Sequence, residues 1–167
     1  PLALATYDVA AGEMLHDSAL SGPWSVAVRL GGRPLTVERQ VKECQAILTA
    51  HRASKLATMD ESDGSAIWRG IADFGWDTEA PPVLGIRVSV LPAKVIDVTS
   101  AILSSDQHGT LQPAIVTHPA HGTVLINWYS QGRDVAVEAI RATIREATQA
   151  ASESGGHLVV EQCPEDT

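Results

Sequence analysis

Arg87 is the residue in this sequence whose setting most needs a chemical reason. It stands in Leu84-Gly85-Ile86-Arg87-Val88-Ser89-Val90, among apolar residues at alternate positions. A guanidinium on such a strand must face solvent, a partner or an anionic ligand, because burying it unpaired is costly. Solvent is the plain reading and an anion the chemical one. His118 and His121 form the next candidate, since paired histidines can bind metal. They flank the turn residues Pro119-Ala120 with no third ligand nearby in sequence, so a polar hairpin is the reading we adopt and no metal site is expected.

Other chemistries find less support. Ser, His and Asp are all present, but no Gly-x-Ser-x-Gly elbow occurs, and abundance alone carries no geometry. Cys44 falls on the apolar stripe of a helical segment, where a small buried hydrophobe is the usual role. Cys163 precedes Pro164 near the end of the chain. Neither reads as a nucleophile, and both are expected to be free thiols. Gly31-Gly32-Arg33-Pro34 joins a strand to a helix, where exposed N–H groups can meet phosphate. The Walker lysine and the G-x-G-x-x-G spacing are both missing, which leaves a tight turn. Trp68, Phe74 and Trp76 lie close together and read as packing rather than a ligand wall. His157 opens the final strand, where an exposed histidine is unexceptional.

The elements that position these residues follow from hydrophobic period. Trp24, Val26, Val28 and Leu30 alternate in a strand that Gly31-Gly32 ends. Residues 35 to 52 carry Val37, Val41, Cys44, Leu48 and His51 at helical spacing, with Pro34 suited to the first turn. A short strand at Leu56 to Met59 and a helix near Ser65 to Phe74 complete a β-α-β-α half unit. The strand containing Arg87 comes next, then a helix opened by Pro92 with Val95, Val98 and Ile102 on one side and Gly109 at its close. Two strands, Ala114 to His118 and Thr123 to Tyr129, are joined across the Pro119–Gly122 turn. A helix from about Val135 to Ala151 is stopped by Gly155-Gly156, and His157 to Glu161 is the last strand.

This order, β-α-β-β-α-β, is the ferredoxin-like split motif, an α+β architecture in which an antiparallel sheet carries its helices on one face. The first and third strands are then central neighbours and the other face stays open. Arg87 and Ser89 would project onto that open face, joined by either Asn127 and Tyr129 or their alternates. Arg29 could extend the polar cluster if the preceding half unit continues the sheet.

Composition narrows the partners. The chain has 167 residues, 44% hydrophobic and 19% charged, the balance of a single domain that folds around a core. Its formal charge of -8 argues against the broad basic surface that nucleic acid requires. The uncharged apolar runs, such as Thr123 to Trp128, fall far short of the roughly 20 residues of a bilayer helix, so no membrane span is expected. Two cysteines are too few for a disulfide framework, which makes the cytoplasm the default compartment. Pro1 to Gly22 is weakly patterned and reads as an N-terminal extension or linker. The Pro1-Leu2-Ala3-Leu4 start shows neither an initiator Met nor a signal peptide, as expected of a chain excised from a longer protein.

Five segments in order resemble the C-terminal half of FAD-linked oxidases: PWSVAVRLGGRPLTVERQV from Pro23 to Val41, IWRGIADF from Ile67 to Phe74, GIRVSVLPAKV from Gly85 to Val95, IVTHPAHGTVLI from Ile115 to Ile126 and GGHLVVEQCP from Gly155 to Pro164. The likeness is to the FAD-binding subunit of glycolate oxidase. It implies that residues 23–167 are a cap, or substrate, domain of the vanillyl-alcohol oxidase superfamily, whose ferredoxin-like units form a sheet over the flavin. In such enzymes a 2-hydroxy acid gives its α-hydrogen as hydride to the flavin while cationic groups hold the carboxylate. The resemblance thus makes Arg87 the carboxylate clamp, with Ser89, Asn127 and Tyr129 beside it as substrate-binding residues. It names no catalytic residue. The FAD-binding domain that precedes this half in the family is absent from the chain, so FAD and the domain that carries it are expected partners and the chain alone is expected to be colourless and inactive. The histidine motif of the related D-lactate dehydrogenase branch has no match, which disfavours a zinc-dependent member. The competing reading is a stand-alone ferredoxin-like module that binds a small ligand or dimerises through its sheet, without redox chemistry.

Overall fold

The computed structural model describes residues 3–7, 24–53, 55–75, 81–105, 111–130 and 135–164. Strand β1 is Ala3–Tyr7 and β2 is Ser25–Arg29, followed by helices α1 (Pro34–Ala50) and α2 (Glu61–Ala72). The split motif then runs β3 (Leu84–Ser89), α3 (Val95–Ser105), β4 (Leu111–His118), β5 (Thr123–Ser130), α4 (Val137–Glu153) and β6 (His157–Gln162). Single 3-10 turns at Pro92–Lys94 and Pro119–His121 lead into α3 and join β4 to β5.

Among the described residues one sheet forms, ordered β2-β1-β4-β5-β3-β6, with every neighbouring pair antiparallel. The last four strands, β4-β5-β3-β6, have the order of a ferredoxin-like α+β unit, and α3 and α4 both cover one face of it. Alternation places Leu84, Ile86 and Val88 of β3 with Ile115 of β4 and Val124, Ile126 and Trp128 of β5 under those helices. Val95, Val98 and Ile102 of α3 and Ile140, Ala147 and Ala151 of α4 close the core from above. Each fully buried aliphatic here stabilises the fold by roughly 1.5–3 kcal/mol, which fixes the register: a slip by one residue would exchange Ile86 for Arg87 beneath the helices.

The first third departs from the expected half unit. Leu56 to Met59 has no strand structure. Leu56 stays exposed, and a short apolar run without a neighbouring strand has no partner for its N–H and C=O groups. The order is therefore β-β-α-α, because Ala3–Tyr7, inside the stretch read as a linker, is a strand between β2 and β4. Its local pattern is weak, and a ladder on both sides supplies what propensity does not. Helix α2 begins earlier than the apolar spacing suggests, since Asp60 caps it: its Oδ1 accepts from the Asp63 N–H at 3.0 Å and from the Ser62 hydroxyl at 2.7 Å. Helix α1 has Pro34 in its first turn as expected, yet none of its residues is buried. Cys44 is only half-buried, which corrects its placement on a buried stripe. The stripe of Val37, Val41, Cys44 and Leu48 borders a wide groove shared with β2 and residues 55–68.

Helix α2 also alters the face expected to be open. Ile67, Ile71 and Phe74 pack on Ala114 and Val116, with Leu125, Tyr129 and Trp68 against them. These β4 and β5 residues alternate with those under α3 and α4, so α2 covers the β4–β5 half of the far face. The aromatic cluster is in part this packing, through Trp68 and Phe74; Trp76 and Gly109 lie outside the described residues. No helix among the described residues is long and apolar enough to cross a membrane.

Candidate functional site

With α2 over β4 and β5, the accessible part of the far face of the four-strand unit lies along β3 and β6. Arg87 sits there, between Leu125 of β5 and Val159 of β6 in the ladder, on the side away from α3 and α4. Its side chain is 47% exposed, and its Nε donates to Glu161 Oε1 at 2.9 Å. Ser89 lies two positions along the same face, half-buried, between Thr123 and His157. Asn127 lies in the other direction, opposite Gly85, and is 8% exposed. Tyr129 follows on β5 beyond the last β3 pair, half-buried against the α2 cluster. The four predicted residues thus share one face but form a strip. Ser89 and Asn127 are separated by four ladder positions, about 13 Å at the usual strand rise.

The sharpest local fit belongs to Asn127. Its amide occupies a slot between Gly75, in the turn after α2, and Gly85 on β3. A Cβ at Gly75 would stand 2.2 Å from Asn127 Nδ2, and one at Gly85 would stand 2.8 Å from Oδ1. Gly75 also has φ +84, a left-handed conformation that glycine adopts without penalty. Both glycines are therefore needed to let the polar side chain lie flat between the helix turn and the sheet. Beside the slot is a hollow of about 80 Å³ bordered by Phe74, Leu125, Asn127, Glu161 and Gln162.

Glu161 and Gln162 reach that hollow together because β6 is bulged. Ile86 pairs with Val160 but Gly85 pairs with Gln162, so β6 advances two residues while β3 advances one and Glu161 is the extra residue. In a regular strand these two side chains would point to opposite faces. Here Gln162 comes level with Gly85 and donates through Nε2 to the Pro82 carbonyl at 2.8 Å, while Glu161 leans along the strand to Arg87. The sequence reading missed both residues, together with Gly75 and Gly85. Glu161 was within reach of it, because His157, Val159 and Glu161 alternate onto the far face of the strand that neighbours β3.

Among the described residues, two titratable groups on the sheet are perturbed. Burial pushes the Tyr129 phenol above its ordinary value; the nearby Asn127 amide acts in the opposite sense. The hydroxyl is buried without a partner in hydrogen-bond geometry. Burial lowers the His118 pKa, and the neighbouring His121 charge lowers it further. No group of three or more His, Cys, Asp and Glu side chains that could hold a metal occurs among the described residues.

No known family model matches the chain, and no curated protein is significantly similar to it. The chemistry of the strip therefore rests on its own geometry: one half-exposed guanidinium already paired to a carboxylate, a buried amide, a second amide on the bulge, and a small hollow bordered by that carboxylate and the two amides. That set can hold a small carboxylate by a charge-assisted contact and orient its remaining polar atoms through amides.

Proposed function

We propose that this chain is the substrate-covering cap of a FAD-dependent 2-hydroxy-acid oxidase or dehydrogenase of glycolate-oxidase type. The observation that carries the reading is Arg87: a half-exposed arginine on a central strand of a ferredoxin-like sheet, facing away from the helices, whose ion-pair partner Glu161 and ladder partner Leu125 border a hollow sized for a small molecule. Pockets for drug-sized ligands run to roughly 300–1,000 Å³, so a hollow of about 80 Å³ suits a two- or three-carbon acid and does not enclose a flavin ring system. As the resemblance implies, FAD would be held by a separate domain, where it would serve as hydride acceptor.

This chain's own contribution is recognition. Arg87 holds the carboxylate, Asn127 presents an amide to the hydroxyl end, and Phe74 and Leu125 supply an apolar wall. Ser89 and Tyr129 lie further along the strip and shape its two ends. An arginine gripping a carboxylate through charge-assisted hydrogen bonds contributes about 1.5–3 kcal/mol, which corresponds to roughly ten- to hundredfold in affinity.

The test is expression of the whole reading frame that encodes this chain. The product should carry flavin that glycolate or a related 2-hydroxy acid reduces under anaerobic conditions. Arg87→Ala in that protein should raise KM at least tenfold with folding intact. A reading frame with no flavin domain, whose product binds no flavin alone or with an encoded partner subunit, would overturn the proposal and favour the ferredoxin-like binding module.

A further inference from the structure

Resting on that reading of Arg87, we infer that Glu161 is an internal competitor for the carboxylate site, a residue that sets which acids the clamp accepts and how tightly. Arg87 offers its Nε–H edge to Glu161 Oε1 at 2.9 Å. A ligand carboxylate approaching the same guanidinium must either displace the Glu161 carboxylate or share the fork with it, and two carboxylates on one arginine repel each other. The pair is exposed enough to open: the two side chains are 47% and 36% accessible, and exposed ion pairs of this kind hold only weakly. Glu161 therefore acts as a removable occupant rather than a permanent one.

The bulge is what makes this arrangement specific. It adds one residue to β6 between Val160 and Gln162, so the strand presents an amide level with Gly85 and a carboxylate directed at Arg87 on the same face. With a regular ladder only one of the two would be there. Glu161 also lines the hollow beside Asn127. On leaving Arg87 it remains at the edge of the hollow, where its charge disfavours a second carboxylate on the ligand. The site should consequently prefer monocarboxylates carrying a neutral hydroxyl over dicarboxylates of similar size.

The experiment is an NMR titration of this chain with glycolate and, separately, with malonate, following the Arg87 Nε–Hε signal and the amides of Gly85, Arg87 and Glu161. In the parent chain glycolate should shift these signals and malonate should shift them less. In Glu161→Gln, which preserves shape and removes charge, glycolate should bind about three- to fivefold more tightly, the range a weak exposed ion pair allows. Malonate should gain by more than glycolate. Arg87→Met should abolish the response in both backgrounds. If Glu161→Gln leaves both affinities unchanged while Arg87→Met still abolishes binding, the competitor role is overturned and the carboxylate clamp stands. If glycolate shifts none of these signals in the parent chain or in Glu161→Gln, the carboxylate clamp falls and the competitor role with it.

Discussion

Replacing Gly75 with alanine tests the slot that holds Asn127, and its cost can be worked from two separate causes. Gly75 has φ +84, where an L side chain costs about 1–2 kcal/mol. The added Cβ would also stand 2.2 Å from Asn127 Nδ2 and 3.0 Å from its Cγ, so the amide must leave its place. It cannot retreat toward β3, because Gly85 has room there only for its hydrogen: a Cβ at Gly85 would be 2.8 Å from Oδ1. Overpacking of this kind costs about 1–3 kcal/mol. Gly75→Ala should therefore destabilise the chain by about 2–5 kcal/mol, a large part of the roughly 5–15 kcal/mol typical of a domain. Removing the amide separates the causes. In an Asn127→Ala background, Gly75→Ala should cost only the backbone part, about 1–2 kcal/mol. Gly85→Ala, which carries no left-handed penalty, should lose most of its cost in the same background. Urea denaturation followed by circular dichroism gives all four terms, with an expected coupling of about 1–3 kcal/mol in each cycle. Additive costs in both cycles would refute the slot and the placement of Asn127 at the edge of the hollow.

Three further outcomes follow from the same structure. Because burial and then the His121 charge lower the His118 pKa from 6.5, the fold favours neutral His118. Its contribution to stability is present above about pH 6.5 and is lost as pH falls through the lowered value; NMR titration should place His118 below free histidine, and His121→Ala should move it only part of the way back. Tyr129 should ionise above the ordinary value of 10 because burial opposes its phenolate, so the related stability persists below pH 10 and declines as pH rises through the raised value. Tyr129→Phe, which removes a hydroxyl buried without a partner, should leave stability unchanged or raise it by up to about 1 kcal/mol, and destabilisation by more than that would contradict the packing described. Thiol titration of the denatured, unreduced chain should find both cysteines, and in the native chain exposed Cys163 should react before half-buried Cys44.

What the sequence made legible was the part of the fold governed by local period. Leu84, Ile86 and Val88 had to share one face, which sent Arg87 and Ser89 to the other, and the split motif placed β3 beside β5 without any knowledge of contacts. The order of elements was enough because the helices α3 and α4 each have one apolar stripe and one sheet to cover. The far face was not legible in the same way. Its covering by α2 depends on Ile67, Ile71 and Phe74 meeting Ala114 and Val116, a meeting between elements that no period in either reveals. The strand at Ala3–Tyr7 was hidden for a related reason: its partners Ser25–Arg29 and Thr117 supply the ladder, while its own residues carry little signal. Leu56 to Met59 erred in the opposite sense, having strand composition and no edge to join.

The candidate site inherits this division. Arg87 was singled out because alternation sends a charge on a central strand to the face away from the helices, where it must meet solvent, a partner or an anion. Asn127 was named by alternation alone, as one of two alternates, while its slot between two glycines distant in sequence was not legible. Glu161 was not singled out, because a bulge that adds a residue to an outer strand is what turns it toward Arg87. Both depend on backbone geometry rather than on residue type. The long-range field gives no help either: with a formal charge of -8 the chain as a whole repels small anions, although screening confines that repulsion to about a Debye length, roughly 8 Å at physiological salt. On the proposed reading, an acid that bound here would be recognised at contact distance, by one guanidinium and the groups beside it. The pairing state of Arg87, more than the overall charge of the surface, would then decide what this face could hold.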